Sequence, residues 1–279
     1  MNEISHKLVR QILNHKFSKP SDIEPVFQEL AARVSSRLDY IRINPQTVLD
    51  CGSGYGIDLK LLEARYPQAQ IIALDSCFKF LQDLRPPVSI TARLAQVFGR
   101  KNANSDFICS DASVLPLRSG SIDLVYSNLL LPYLNDYRQF FAEISRVLKV
   151  GGTFCFSGLG VDSAKELRAL GLSTYTFPDM HDIGDSLLAA GFSNPVVDTE
   201  YLTLDYDSLE VLLMDAQNIG CGAAINLPPL SAEIIANLRS QRKKLPAQLT
   251  LELFVAHGWK DKVSFSDREV IQFMPKSAR

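Results

Sequence analysis

Three glycines alternate with other residues directly after an acid, in the stretch TVLDCGSGYG (residues 47–56). Glycine adopts positive φ angles and lets a ligand approach the main chain, so Gly52, Gly54 and Gly56 predict a ligand-binding loop. The apolar residues before Asp50 are typical of a buried strand, and DLKLLEARYP after the loop is typical of a helix. A glycine loop between a strand and a helix is a common nucleotide site. The alternative is a tight turn that binds nothing.

Polar residues also follow later strand-like segments. Asp75 ends the apolar run IIALD, 25 residues after Asp50, and a carboxylate in that place can accept hydrogen bonds from ribose hydroxyls. Asp75 can equally cap the helix that follows it. Asp111 comes after the segment DFICS, and Ser127 with Asn128 ends SIDLVYSN. Because ligands bind at the carboxyl edge of open α/β sheets, these side chains predict one shared site.

The spacing of the glycines bears on the nature of the ligand. A dinucleotide fingerprint reads GxGxxG and holds a pyrophosphate at the N-terminus of the following helix. The spacing here is GxGxG, and Asp50 stands two residues before the first glycine. A carboxylate near the start of the helix would repel a pyrophosphate but would suit an ammonium group. The sequence therefore favours a positively charged cofactor without phosphate, namely S-adenosylmethionine, over NAD.

Strand-like and helix-like segments alternate along most of the chain, and this alternation predicts the fold. The strand-like segments are TVLDC, AQIIALD, DFICSD, SIDLVYSN and GGTFCFSG. Helix-like segments of about 10–15 residues accompany them, and YRQFFAEISRVLK has the clearest amphipathic pattern. Short strands that alternate with such helices are typical of a parallel, doubly wound sheet. We therefore predict an α/β fold with helices on both faces of the sheet.

The C-terminal part departs from this alternation. Two late strands, NPVVDTEYLTLDY and LTLELFVAHGWK, are separated by the helical stretches SLEVLLMDAQNIG and SAEIIANLRSQRKK. Two strands joined by an insertion fit an antiparallel hairpin at the edge of the sheet. Near the other end of the chain, residues 21–42 read as an amphipathic helix. We predict four segments, namely an N-terminal helical segment (1–44), a Rossmann-like cofactor-binding core (45–205), a helical lid insertion (206–247) and a final strand with the C-terminal tail (248–279).

Taken in order, these segments resemble the motifs of class I S-adenosylmethionine-dependent methyltransferases. VLDCGSGYG is similar to their first motif, IIALD to the second, SDASVLPL to the third, SIDLVYSN to the fourth, and ISRVLKVGGTFCFS to the block around strand five. The resemblance covers about residues 45–160 and implies a Rossmann-like sheet of seven strands that binds S-adenosyl-L-methionine. The residues expected to bind this cofactor are Asp50, Gly52, Ser53, Gly54, Gly56, Asp75, Ser76, Asp111, Ala112, Ser127 and Asn128.

A narrower resemblance extends over most of the chain. The segments LPLRSGSIDLVYSNLLLPYL, FSGLGVDSAKELR, DMHDIGDSLLAAGF, LTLDY and FVAHGW are similar to parts of the malonyl-acyl-carrier-protein O-methyltransferases of biotin synthesis, the BioC type. Those enzymes methylate the free carboxylate of a malonyl thioester. The resemblance thus implies acyl carrier protein, loaded with malonyl-phosphopantetheine, as substrate and partner. The alternatives are a related assembly factor that hydroxylates an arginine, or a non-catalytic protein that binds the cofactor and a partner.

The same resemblance implies a role for each part of the site. The loop from Asp50 to Gly54 would shape the methionine end, and Asp75 would hold the ribose. Asp111 would lie at the adenine, and Asn128 would face the methyl-donor end. Two places depart from the family pattern: KFSKPSD stands where members have an aromatic-rich stretch, and LPYL stands where they have a pair like HW.

The chemistry of methyl transfer to a carboxylate limits what the protein must supply. The acceptor is already an anion, so the reaction needs neither a metal nor a strong base, and alignment of the reactants supplies most of the catalysis. A cationic or hydroxyl donor would orient the acceptor, and the candidates are Tyr133, Arg168 and His181. Each has an alternative: Tyr133 as a packing aromatic, Arg168 as a solvated helix charge, and His181 as a helix cap.

Composition and charge exclude several classes of function. A net charge of -2 gives no general footprint of nucleic-acid binding. No apolar run approaches the ~20 residues of a membrane span, and the N-terminal stretch MNEISHKLVRQILNHKF lacks the apolar block of a signal peptide, so we expect a cytoplasmic protein. The five cysteines are odd in number and form no CxxC pair, which favours reduced thiols over a metal site.

A cluster of basic residues ends the second helical stretch of the predicted lid. It comprises Arg239, Arg242, Lys243 and Lys244. Basic side chains at the C-terminus of a helix interact favourably with its dipole, and this is one interpretation of the cluster. The functional interpretation is a patch that binds an acidic carrier protein or its phosphopantetheine arm.

Overall fold

A computed structural model describes residues 23–85, 105–169, 171–172, 174–221 and 248–261. The segment KFSKPSD and the basic cluster at residues 239–244 lie outside these residues, as does the second helical stretch of the predicted lid. The division of the chain into four segments therefore stays a prediction.

The described residues contain one mixed sheet of seven strands. These are β1 (Thr47–Cys51), β2 (Gln70–Asp75), β3 (Ser105–Cys109), β4 (Ile122–Ser127), β5 (Leu148–Leu159), β6 (Phe192–Asp205) and β7 (Gln248–Lys260). Their order across the sheet is β3-β2-β1-β4-β5-β7-β6. The first five strands pair in parallel, and β7 lies antiparallel between β5 and β6. The predicted α/β fold and its antiparallel edge hairpin are confirmed.

Helices cover both faces of this sheet. The helices of the described residues are α1 (Glu24–Arg37), α2 (Ile57–Arg65), α3 (Phe78–Leu84), α4 (Tyr137–Val147), α5 (Lys165–Ala169), α6 (Met180–Ala189) and α7 (Leu209–Asn218), with a short 3-10 helix at Leu131–Tyr133. None of the helices in these ranges combines the length and the apolar character that a membrane crossing needs.

Neighbouring residues of one strand enter two different cores, because successive side chains of a strand point to opposite faces. Val48 of β1 packs in one core with Leu30 of α1 and Leu62 of α2. Leu49, the next residue, packs in the other core with Phe140 of α4. All of these side chains are buried. The two cores fix the strands between helices and so fix the positions of the strand ends.

Two helices end earlier than the sequence pattern predicts. The pattern of α1 extends to residue 42, whereas the helix ends at Arg37. The pattern of α4 extends to residue 149, but Leu148 already pairs with Ile122 in the sheet. The pairing of β4 with β5 then shifts register, and Gly151, with a φ of +81°, lies in this irregular stretch.

Candidate functional site

A cleft lies at the carboxyl edge of the sheet, beside the ends of β1, β2 and β4. The loops after these strands line it, together with side chains of α1 and α3 and the end of α7. The predicted cofactor-binding residues that line the cleft are Gly52, Ser53, Gly54, Asp75, Ser76, Asp111, Ala112 and Asn128. Tyr133, one of the three candidate catalytic residues, lines it as well.

The glycine loop has the conformation that the sequence predicts. Gly52, Gly54 and Gly56 have φ angles of +84°, +47° and +73°, in the left-handed region that other residues adopt only at a cost. The backbone N–H groups of Gly52 and Ser53 donate to the carbonyl oxygen of Leu74, at 2.7 and 3.0 Å. The loop is thus fixed against the end of β2.

Asp75 accepts two backbone hydrogen bonds, while the N-cap of the following helix is Cys77 and not Asp75. One carboxylate oxygen accepts a hydrogen bond from the N–H of Gly54 at 3.0 Å, and the other accepts one from the N–H of Cys77 at 2.7 Å, where α3 begins. Burial raises the pKa of Asp75, and these backbone donors act against that rise. Because each carboxylate oxygen has a further lone pair, Asp75 can still accept hydrogen bonds from a ligand in the cleft.

Asp58 lines the cleft, although the sequence argument did not single it out. Tyr126 donates its hydroxyl to Asp58 at 2.8 Å, and the amide nitrogen of Asn128 lies 3.1 Å from the other carboxylate oxygen. Burial raises the pKa of Asp58 to about 6, while these two hydrogen bonds lower it. The available signal was its position, since Asp58 lies two residues after Gly56 in the first turn of α2.

Asp50 lies beneath the cleft and is not one of its lining residues. Only 1% of its surface is exposed, and its Oδ2 atom has no hydrogen-bond partner among the described residues. Burial raises its pKa well above the ordinary value, and the negative charges of Asp58 and Asp75 raise it further. Two buried carboxylates, Asp50 and Asp75, and the half-buried carboxylate of Asp58 therefore lie close together around the glycine loop.

These features fit S-adenosylmethionine better than a phosphate-bearing cofactor. No Lys, Arg or His occurs among the described residues that line the cleft. Buried carboxylates without a cationic partner attract a positive ligand and repel a phosphate. The glycine loop provides main-chain groups for close approach, and the carboxylate of Asp75 provides acceptors for hydroxyls.

Three aromatic rings form one wall of the cleft. The ring of Tyr55, between two glycines of the loop, lies 4.6 Å from the ring of Phe80 and 6.4 Å from the ring of Phe27. These rings come from the loop, α3 and α1, so their meeting depends on tertiary structure. The sequence argument missed all three, although Tyr55 lies inside the quoted motif.

Another part of the lining is mainly apolar and comes from the segment after β4. Leu129, Leu130 and Leu134 line the cleft there. Tyr133 donates its hydroxyl to the backbone oxygen of Asn218 at 3.0 Å and so joins this segment to the end of α7. Burial raises the pKa of Tyr133, so its hydroxyl stays protonated at neutral pH.

Two further predicted cofactor residues support the cleft from outside its lining. Gly56 is the N-cap of α2, and a Cβ atom there would lie 2.3 Å from a methyl carbon of Leu84. Ser127 donates its hydroxyl to the carbonyl oxygen of Cys51 at 2.8 Å and joins the ends of β4 and β1.

The structure does not bring Arg168 and His181 to the cleft lining. The guanidinium of Arg168 donates to the carbonyl oxygens of Ser163, at 2.6 Å, and Val161, at 2.8 Å. His181 is exposed near the start of α6. The helix cap is Asp179, whose carboxylate accepts from the N–H of His181 at 2.8 Å, so the interpretation of His181 as the cap is wrong.

Within the described residues, no group of three or more His, Cys, Asp or Glu side chains is arranged to hold a metal ion. All five cysteines are described and none forms a disulfide. Four are buried and Cys109 is exposed, which agrees with the prediction of reduced thiols.

Comparison with known proteins adds a family. Residues 49–156 match a family model described as a methyltransferase domain. The chain is 39% identical over 269 residues to the malonyl-acyl-carrier-protein O-methyltransferase of Methylovorus sp., covering 90% of this chain and 88% of that protein. It is 38% identical over 278 residues to the protein of the same name from Gallionella capsiferriformans, covering 93% of each.

Solved structures support the fold. The YcgJ protein of Bacillus subtilis aligns with a TM-score of 0.58 at 18% identity, covering 83% of this chain and 99% of that one. A SAM-dependent methyltransferase of Thermotoga maritima aligns with a TM-score of 0.53 at 14% identity, covering 92% of this chain and all of the other. At these identities, the alignments concern the fold alone.

Proposed function

Because this chain belongs to the malonyl-acyl-carrier-protein O-methyltransferase family, we propose that it transfers a methyl group from S-adenosyl-L-methionine to the free carboxylate of a malonyl thioester on acyl carrier protein. This reaction would serve biotin synthesis, as the sequence resemblance implies. The product is a methyl ester, in which the negative charge of the acceptor is lost.

The observation that carries the proposal is the acidic character of the cleft. Asp58 and Asp75 line it, Asp50 lies beneath it, and no cationic side chain lines it among the described residues. Such a site favours a cofactor that carries positive charge on a sulfonium and an ammonium group. The relatives that share 37–39% identity with this chain carry the name of a methyltransferase.

S-adenosyl-L-methionine, when bound, supplies a methyl group activated by a positively charged sulfur. The chain's own residues have to bind and orient the reactants. The carboxylate of Asp75 would accept from the ribose hydroxyls, and the backbone of Gly52 and Gly54 leaves space for close approach. Asp111 would lie at the adenine, and Asn128 would face the methyl-donor end.

The acceptor side needs orientation and the exclusion of water. The leucines after β4 supply an apolar surface for this purpose. The hydroxyl of Tyr133 is a candidate donor to the acceptor carboxylate, provided that it leaves the backbone oxygen of Asn218. A malonyl carboxylate is an anion at neutral pH, so no side chain has to remove a proton from it. Alignment can contribute about 7–11 kcal/mol in the best cases.

Acyl carrier protein as the partner rests on the names of the relatives. The basic cluster at residues 239–244 remains our candidate for its contact surface, together with the other residues of the predicted lid. Neither Arg168 nor His181 lines the cleft. The sequence argument alone therefore keeps them as candidates for the acceptor side.

Two measurements test the proposed function. Calorimetric titration with S-adenosylhomocysteine reports cofactor binding, and label transfer from methyl-labelled donor to malonyl-acyl carrier protein reports the reaction. Acetyl-acyl carrier protein is the matched control, because it lacks only the carboxylate, and we expect label on the malonyl form alone. Binding without label transfer would refute the proposal and favour the non-catalytic or hydroxylase alternative. Label on both thioesters would refute the carboxylate as the acceptor.

A further inference from the structure

We propose that Asp58 is a positioning residue, which orients Asn128 and, through Ser157, the turn at Leu129 that leads into the acceptor side of the cleft. The proposal deepens the proposed function and rests on it. It assigns a role to an acid that no sequence motif identified.

Five hydrogen bonds connect Asp58 to this turn and to the sheet. Tyr126, on β4, donates its hydroxyl to Asp58 at 2.8 Å. The amide nitrogen of Asn128 donates to both oxygens of Asp58, at 3.3 and 3.1 Å. Ser157, on β5, donates its hydroxyl to the amide oxygen of Asn128 at 2.5 Å. The hydroxyl oxygen of Ser157 in turn accepts from the N–H of Leu129 at 3.1 Å.

The direction of these bonds fixes the orientation of Asn128. Its amide nitrogen can only donate and its amide oxygen can only accept. The carboxylate on one side can only accept, so it requires the nitrogen there, and the oxygen on the other side then accepts from the Ser157 hydroxyl. Reversing the amide would place its oxygen opposite the Asp58 carboxylate, where two acceptors would face each other. Asp58 therefore determines which face of Asn128 meets the cleft.

The turn at Leu129 requires such support. Leu129 has a φ of +55°, in the left-handed region that a leucine rarely adopts, and it is buried. Non-glycine residues keep this conformation only where the surrounding structure holds it, and such residues cluster at functional sites. The bond from its N–H to Ser157 is one such restraint. The segment that begins here supplies the apolar wall of the cleft.

A carboxylate at position 58 costs free energy of folding, because its charge is partly buried and lies close to another acid. Burial raises its pKa to about 6, and the hydrogen bonds from Tyr126 and Asn128 oppose this rise. The buried acid Asp50 lies close enough that the charge of Asp58 raises its pKa. An apolar side chain would avoid both penalties. A carboxylate that aims Asn128 at the cleft gives a reason for keeping this charge.

Exchange of the two residues tests the proposal. In the Asp58→Asn/Asn128→Asp double variant, the amide at position 58 can accept from Tyr126 and donate to the carboxylate at position 128, which can still accept from Ser157. In the Asp58→Asn variant, an amide nitrogen replaces one of the two oxygens that accept from Tyr126 and Asn128, and in the Asn128→Asp variant two carboxylates face each other. We expect each single variant to weaken S-adenosylhomocysteine binding and to raise the KM for malonyl-acyl carrier protein, both by about tenfold. We expect the double variant to restore both values to within about threefold of the wild type.

A second variant and a control complete the experiment. Ser157→Ala breaks the chain at its other end while Asp58 stays in place, and we expect it to raise the same KM. Asp106→Asn is the control, because its carboxylate accepts from Gln70 on an exposed part of the sheet and lies outside the cleft lining. Melting temperatures of all variants separate loss of folding from loss of orientation.

Each outcome of these experiments either supports or overturns the positioning role of Asp58. Single variants that keep wild-type binding and KM would overturn the proposal. A double variant that regains its melting temperature but neither binding nor KM would also overturn it, because the carboxylate would then be needed at position 58 itself. If the wild type binds S-adenosylhomocysteine but transfers no methyl group, the proposed function fails. Recovery of binding in the double variant then still supports the positioning role, and its absence refutes it.

Discussion

The carboxylate of Asp75 accepts a hydrogen bond from the backbone N–H of Gly54 at 3.0 Å, so the acid at the end of β2 holds the glycine loop that follows β1. The same carboxylate accepts from the N–H of Cys77. One side chain thus shapes the loop, supports the start of α3 and lines the cleft. The same carboxylate can therefore hold the glycine loop and accept hydrogen bonds from a ribose.

Replacement of Asp75 by alanine should reduce both stability and cofactor binding. The change leaves the N–H groups of Gly54 and Cys77 without their acceptor, and a buried unpaired donor costs about 1–3 kcal/mol. Urea unfolding measures the free energy, and calorimetry with S-adenosylhomocysteine measures the binding. Asp106→Ala is the control, because Asp106 is an exposed acid on the adjacent strand β3. An Asp75→Ala variant as stable as the wild type would contradict the contact with the loop.

Alanine at Gly56 should destabilise the protein more than alanine at Gly54. Both positions have positive φ, so both variants share a left-handed penalty of about 1–2 kcal/mol. A Cβ atom at Gly56 would also lie 2.3 Å from a methyl carbon of Leu84, whereas at Gly54 the nearest atom is 3.9 Å away. Overpacking adds about 1–3 kcal/mol to the cost at Gly56. Equal losses in urea unfolding would show that Leu84 moves aside freely.

Local patterns predicted most of the fold, because the two cores on either side of the sheet impose regular periodicities on strands and helices. The end of α4 was predicted too late. Leu148 and Lys149 continue the amphipathic pattern of that helix, but Leu148 gains a partner, Ile122, in the sheet. Pairing between residues 26 positions apart has no local signal, so the pattern alone could not reveal it.

The sequence predicts the site residues that stand at the ends of strands. It misses those that reach the cleft only through the packing of helices. Asp75 and Asp111 follow strands in the sequence, and the carboxyl ends of parallel strands meet at one edge of the sheet. Phe27 and Phe80 reach the cleft from helices whose relative positions the sequence does not state. Arg168 was proposed from its charge, but its hydrogen bonds show a local role that only coordinates reveal.

Loss of the Arg168 guanidinium should reduce stability without changing cofactor affinity. Two of its nitrogens donate to the carbonyl oxygens of Ser163 and Val161, which the Arg168→Met variant would leave unpaired. Because these bonds are partly or fully exposed to solvent, the expected loss is about 0.5–1.5 kcal/mol in urea unfolding. Affinity for S-adenosylhomocysteine should stay within about threefold of the wild type, since Arg168 lies outside the cleft lining. Wild-type stability with a large loss of turnover would instead support a role for Arg168 at the acceptor.

The dependence of stability on pH should show the cost of burying Asp58. Burial raises its pKa from 3.8 to about 6, so between these values the folded chain keeps a proton that the unfolded chain releases. The free energy of unfolding that Asp58 contributes therefore falls as pH rises from about 4 to about 6, by on the order of 3 kcal/mol. Tyr126 and Asn128 donate to this carboxylate and oppose the rise of its pKa, and the buried acid Asp50 lies close by. The Asp58→Asn variant lacks this titration, so its stability relative to the wild type should improve toward neutral pH.

Glu143 provides a control of opposite sign for this measurement. A hydrogen bond from Arg146 lowers the pKa of Glu143 below its ordinary value of 4.5. Its stabilising contribution is therefore present above about pH 4.5 and lost as pH falls through the lowered pKa. Urea unfolding from about pH 3 to pH 7 should show Glu143→Gln losing stability relative to the wild type as pH rises, while Asp58→Asn gains it. Parallel curves for the wild type and Asp58→Asn would mean that folding does not raise the pKa of Asp58.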